Sequence, residues 1–438
     1  MVFNDAKYNI KKAIGCFLLV LLFCCSGGDD SDDAPSADTT PPSNPTNLVE
    51  SQITDSSVFL SWGASTDNIG VTNYSVYQDN TQIATTQQTS YTVNGLSTNT
   101  SYSFKIRAND LAGNSSGFSN TINITTNGYE LNIANGDLEN YISTIIDNAP
   151  GSDEGDYAAP NQSQLNICHD IVTAILSDNI TEAIDKSGSI GYQITEFTDT
   201  TTNPSSIFYI IEKRANQSNF WGTFVFSKNP DRGNLVLMAP HSKYDTNTGK
   251  QAVYCFKNNL ARAVFINGTH RCNSSEASDC SGTTSVCGSS EAYKISDMAH
   301  TVTSMYQQLT ESIFDAIPSS VFIQLHGFSK QSSDPYVIMS NGTRETPATD
   351  YATLIKDALL IEDNSLTFKL AHIDTDWTRL IGFTNTQGRL INNSSDACTE
   401  AATNTSGRFI HIEQERTKLR DDESKWAKMS YALGDVFN

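Results

Sequence analysis

At 438 residues the chain is long enough for two or three domains, and its 49 acidic residues against 28 basic ones leave a formal charge of −21. Acidity on that scale argues against nucleic acid as a partner and against docking on an anionic membrane surface. The first predicted element is an apolar run at residues 13–23, preceded by Lys7, Lys11 and Lys12. It is too short to span a bilayer, which takes roughly 20 apolar residues, and it fits the core of a secretory leader. The chain is therefore expected to be exported.

The run stops at Cys24-Cys25-Ser26-Gly27-Gly28, ahead of a tract of Asp and Ser. This junction resembles a bacterial lipoprotein signal. The resemblance implies a signal peptide over residues 1–25, a lipid on Cys25, and anchoring in the bacterial cell envelope, periplasmic or surface-exposed. Residues 26–44, rich in Ser, Asp, Thr and Pro, cannot bury a core and read as a disordered tether. Beyond Cys16, Cys24 and Cys25, six cysteines remain: Cys168, Cys255, Cys272, Cys280, Cys287 and Cys398. An even number in an oxidising compartment is expected to be fully paired, and the short loop of Ser, Gly and Thr favours Cys280 with Cys287.

Residues 45–127 read as short alternating strands, at 58–62, 74–78, 90–93, 102–108 and 121–125, with turn residues between them. Trp62 in the first of these stretches and the segment Gly95-Leu96-Ser97-Thr98-Asn99-Thr100-Ser101-Tyr102 resemble a fibronectin type III module. The resemblance implies an all-β sandwich with Trp62 and Tyr102 in its core. It also implies a role in spacing or adhesion, with cell-surface polymer as a candidate contact.

Residues 128–438 form one remaining block. A helix is predicted over 162–183, then β-like runs at 191–197, 207–213 and 221–226. After a strand at 235–238 the pattern alternates: helix 249–260, strand 262–266, a cysteine-bearing loop, helix 296–316, strand 321–325, helix 350–360, strands 366–371 and 409–412, and a closing helix at 423–433. This order implies an α/β domain with a mixed, mostly parallel sheet and helices on both faces.

Three of the apolar runs end in residues suited to chemistry. The run at 235–238 leads into Pro240-His241 with Asp245 four residues on, 321–325 leads into His326, and 409–412 into Glu413. His, Asp and His with a free Glu is the residue set of a catalytic zinc site: three ligands, one open position, and a base beside it. The segments 238–245 and 323–328 resemble the zinc carboxypeptidase and N-formylglutamate amidohydrolase group. That resemblance implies one zinc held by His241, Asp245 and His326, with Glu413 of Ile412-Glu413-Gln414-Glu415-Arg416 as the catalytic base. An arginine, Arg271 or Arg389, is then expected to hold a substrate carboxylate. His411, on the same strand face as Glu413, is a candidate substrate contact. The group usually places two residues between the first His and its acid, whereas three intervene here and the acid is Asp, which tilts the comparison towards the amidohydrolase branch.

The expected activity is zinc-dependent hydrolysis of an amide next to a free carboxylate, in a peptide, an N-acyl amino acid or a cell-wall stem. One alternative is glycoside hydrolysis, which needs two carboxylates roughly 5–9.5 Å apart; fibronectin modules accompany such enzymes, but no partner for Glu413 stands out. The other is a binding or adhesion lipoprotein whose second domain is not catalytic. His300, inside the predicted helix 296–316, reads as core or as support for a neighbouring ligand.

Overall fold

The computed structural model describes residues 37–215, 217–288 and 291–438. The leader, Cys25 and most of the tether lie outside the described residues. The chain divides into two compact units between Asn127 and Gly128.

The first unit is a two-sheet sandwich. Strands Thr46–Ser51, Ser57–Gly63 and Ser90–Asn94 make one sheet; Thr81–Thr86, Val71–Gln78, Ser101–Asp110 and Ser115–Phe118 make the other, with Ile122–Thr125 paired to Ser101–Asp110. Strict alternation in Ser57–Gly63 sends Val58, Leu60 and Trp62 inward. Trp62 meets Tyr74 edge-on at 5.6 Å. The Tyr102 hydroxyl accepts the Ser97 N–H at 2.8 Å, the back-bond that a tyrosine corner requires.

The second unit is built on one ten-stranded sheet. Across it the order is Phe368–Leu370, Val337–Ser340, Phe409–Glu415, Val321–Phe328, Arg232–Ala239, Ala261–Ile266, Thr223–Ser227, Ser206–Lys213, Tyr192–Asp199 and Asn132–Gly136. Five neighbouring pairs are parallel and four antiparallel, so the sheet is mixed, with its continuous parallel block at the centre. Helices Leu138–Asp147, Thr248–Asn259, Tyr351–Glu362 and Glu423–Val436 pack on one face. Gln162–Leu176, Ile180–Ser189 and Met305–Ala316 pack on the other. Along Arg232–Ala239, Leu235, Leu237 and Ala239 feed the first core and Val236 and Met238 the second. Burial on both faces is why this strand reads as a continuous apolar run.

The connections decide where a site can form. From Arg232–Ala239 the chain crosses one face through Thr248–Asn259 to its neighbour Ala261–Ile266. It returns over the other face through Met305–Ala316 and lands on the opposite side, at Val321–Phe328. The loops leaving the carboxyl ends of adjacent strands therefore diverge, and a crevice opens between them.

Three expectations are corrected: the start of one helix, the partner of Cys280, and the full pairing of the six cysteines. The predicted helix 296–316 begins only at Met305, because Ser304 caps it by accepting the Gln307 N–H at 3.1 Å. Asp297 and His300 are thereby released into a loop. The Cys280–Cys287 pairing does not form; the bridges are Cys272–Cys287 and Cys280–Cys398. The fold brings Cys398 to this loop from 118 residues away, with the Ser281 N–H donating to its carbonyl at 3.0 Å. Cys168 and Cys255 stay as buried thiols in helices on opposite faces of the sheet, so they cannot meet. Protein lacking residues 1–25 is accordingly expected to expose two reactive thiols per chain when unfolded without reductant. Counting by a thiol reagent checks this, and a count of zero or four would contradict the pairing.

Candidate metal centre and cleft

His241, Asp245 and His326 converge at the carboxyl ends of the central strands, each nearly fully buried. The spacing of four between His241 and Asp245 works because the segment makes a single helical turn, with the Asp245 N–H donating to the His241 carbonyl at 2.8 Å. Residues four apart on such a turn face the same way. His326 lies within its strand, in register with Glu413 on the neighbouring one, and Gln324 is likewise in register with His411.

The three donor atoms form a near-regular triangle. His241 Nδ1 and His326 Nδ1 are 3.1 Å apart, and Asp245 Oδ2 lies 3.3 Å from the first and 3.5 Å from the second. An ion bound at about 2.1 Å in tetrahedral geometry spaces its ligands about 3.4 Å apart, so the triangle fits zinc.

Hydrogen bonds on the far side of each ring fix which nitrogen is free. His241 Nε2 faces Asp297 Oδ1 at 2.9 Å and must be the protonated nitrogen. His326 Nε2 faces Gln324 Oε1 at 2.8 Å. That amide is oriented in turn: Gln387 Nε2 donates to the Met298 carbonyl at 2.8 Å, so its oxygen accepts from Gln324 Nε2 at 3.1 Å. Asn385 Nδ2 donates to the same Gln324 oxygen. Both Nδ1 atoms therefore turn lone pairs towards each other and towards a carboxylate oxygen, with Arg271 Nη1 3.3 Å from His241 Nδ1, and a proton or a metal ion at the centre relieves their repulsion.

Without a metal ion the cluster's positive charge rests on His241: against burial and the neighbouring Arg271, the Asp297 and Asp245 carboxylates raise it above the ordinary imidazole value. Burial works to raise the Asp245 carboxyl, but hydrogen bonds and charge interactions with His241 and His326 hold it far below the usual carboxylate range. Burial and the neighbouring His411 push His326 well below the ordinary imidazole value. Burial pushes His300 down to about 4, against the pull of Asp297. His300, Asp297 and His241 also approach one another, but Asp297 Oδ2 is taken by Arg271 Nε at 3.0 Å and Nη2 at 2.5 Å. Asp297 is thus the carboxylate that orients His241.

A cleft of about 440 Å³ opens onto these residues, and Glu413 is the only carboxylate among the described residues that line it. Glu413 Oε2 is buried with no hydrogen-bond partner among the described residues, as are both ring nitrogens of His411. The other Glu413 oxygen stands 3.5 Å from His411 Nε2. Gly382, at φ +66, lets the neighbouring loop lie on the His411 ring, since a Cβ there would sit 2.8 Å from its Cγ. Glu415 is differently employed: it caps the helix Arg416–Leu419, accepting the Lys418 N–H at 3.0 Å.

Neither predicted carboxylate anchor is available. Arg389 clamps loops, donating to the Phe383 carbonyl at 3.1 Å, the Cys398 carbonyl at 2.6 Å and Ser281 Oγ at 3.1 Å, and it does not line the cleft. Arg271 does line it, but its guanidinium is paired with Asp297, and Nη1 lies 3.3 Å from His241 Nδ1. Nothing in the local sequence pointed to Asp297. Gln324, a fully buried amide inside an apolar strand, was the legible signal for a polar network.

Comparison with known proteins concerns the first unit. A fibronectin type III model matches residues 43–125. Over 92 residues the chain is 48% identical to chitinase Chi52 of Paenibacillus xylanexedens, covering 21% of this chain and 18% of that protein. It is 50% identical to exoglucanase A of Cellulomonas fimi over 92 residues, covering 20% of this chain and 11% of the other. Among solved structures, chitinase ChiA74 from Bacillus thuringiensis aligns at 38% identity over 22% of this chain and 15% of that one, with a TM-score of 0.20. The chain spans less than a fifth of the length of the curated relatives it matches. By name these relatives stand with the glycoside-hydrolase alternative and not with an amidohydrolase, over the fibronectin region only. What the chain shares with them is a fibronectin type III domain at residues 43–125.

Proposed function

We propose that the second unit is a zinc-dependent hydrolase that cleaves an amide bond. The observation that supports this reading is the buried triangle of His241 Nδ1, Asp245 Oδ2 and His326 Nδ1, with both rings oriented from behind. Zinc held there supplies a Lewis acid and acidifies water. Glu413, with an unpartnered oxygen in the cleft, takes the proton from water and delivers it to the leaving amine. The expected free carboxylate beside the scissile bond is not kept, because both arginines assigned to it are committed elsewhere.

In the same reading the chain is exported, lipid-anchored through Cys25, and held off the envelope by its tether, with the fibronectin domain as spacer or polymer contact. The two disulfides support an oxidising compartment.

The relatives' names favour a second reading, glycoside hydrolysis. It needs a carboxylate pair flanking the bond, and Glu413 is the one carboxylate among the described residues of the cleft lining. A panel of N-acyl amides and peptides set beside chitin and glucan oligosaccharides separates the two. Amide cleavage that a chelator abolishes and zinc restores is the expected result; glycan cleavage indifferent to chelator would replace this proposal with the second.

A further inference from the structure

The lining of the cleft defines the kind of substrate it accepts. One wall is the short hairpin of Thr283–Thr284 and Glu291–Ala292, which presents Val286 and is stapled beside it by Cys272–Cys287 and before it by Cys280–Cys398. The facing wall presents Leu380, Ile381 and Phe383. Tyr293 ties the two together: its hydroxyl lies 3.1 Å from Thr384 Oγ1, and its ring stacks on His300 at 3.6 Å. The walls are therefore braced against each other.

Leu380 adopts φ +59, in the left-handed region that branched residues seldom occupy. A strained backbone that places a large apolar side chain in a cleft is a mark of function. The charges point the same way. Among the described residues of the lining Arg271 is the only Lys or Arg, and it is paired with Asp297. Of the nearby cations, Arg379 is paired with Asp334 at 2.7 Å, and Arg344, outside the lining, spends its hydrogens on the carbonyls of Ala371 and Trp377 with its guanidinium 5.2 Å from the Phe383 ring. Glu413 adds a negative charge of its own. A substrate carboxylate placed here would find, among the described lining residues, no lysine or arginine free of a carboxylate partner, and would face Glu413.

We propose, resting on the zinc-hydrolase reading, that Val286, Leu380, Ile381 and Phe383 form a specificity wall for an uncharged, apolar group beside the scissile amide. The substrates are then amides flanked by aliphatic or aromatic groups, and free carboxylates at that position are excluded.

The test is calorimetric titration of zinc-loaded protein with three hydroxamates: acetohydroxamate as the bare chelator, 3-phenylpropanohydroxamate, and succinic monohydroxamate, which carries a carboxylate in place of the phenyl ring. The phenyl compound is expected to bind about tenfold or more tighter than the carboxylate compound. Leu380→Asn should narrow that gap several-fold with zinc content unchanged, since asparagine tolerates a positive φ. Val286→Ser, on the stapled hairpin, provides a second variant with the same expected direction. Equal or tighter binding of the carboxylate compound, or a gap unmoved by both variants, overturns the proposal and leaves the zinc site standing. If zinc is not retained and acetohydroxamate fails to bind, the hydrolase reading falls and takes this one with it.

Discussion

Replacing His326 with alanine is expected to abolish zinc retention while leaving the fold in place. The wild-type protein, prepared without residues 1–25, should carry about one zinc per chain by emission spectroscopy, and both His326→Ala and His241→Ala should carry almost none. Each variant removes one corner of a triangle whose edges run from 3.1 to 3.5 Å, leaving two ligands where a stable site needs three or more. The His326 variant also strips Gln324 Oε1 of one donor, but Asn385 still serves that oxygen, so the penalty is no more than about 1–3 kcal/mol. Far-UV circular dichroism should therefore be unchanged. Zinc content that stays at the wild-type level in both variants would sink the site.

The second large effect is on turnover. Glu413→Gln is expected to keep the zinc and lower the rate of amide cleavage about 10²–10⁴-fold, the usual worth of a positioned acid/base group. Glutamine preserves the shape of the side chain and the strand pairing with His326, so what is lost is the proton acceptor. Glu415→Gln is the control: its carboxylate caps the helix Arg416–Leu419 and accepts from Thr417 Oγ1 at 2.9 Å, away from the cleft. Its loss should cost roughly 0.5–2 kcal/mol of stability and little rate. A Glu415 variant that loses activity while the Glu413 variant keeps it would reverse the assignment.

Much of this architecture was legible from local pattern. The continuous apolar runs that became Arg232–Ala239, Val321–Phe328 and Phe409–Glu415 carry their signal in composition alone, because strands buried on both faces have no polar side to show. The residues just beyond those runs, His241, His326 and Glu413, could be picked out for the same reason. Trp62 and Tyr102 likewise mark the sandwich through positions that depend on neighbours a few residues away.

Contacts between distant segments were decided only by the folded chain. The Cys280 partner is Cys398, 118 residues downstream, and no spacing rule reaches that far. Asp297 became the support for His241 because Ser304 starts its helix late, a competition between capping and propagation that periodicity does not resolve. Arg271 and Arg389 had the right chemistry for a substrate carboxylate, yet one neutralises Asp297 and the other binds carbonyls. Sequence determined which residues can ligate, accept protons or pair; tertiary structure decided which of them are left free to do so, because a buried charge or donor is taken by whatever partner the fold brings within about 3 Å.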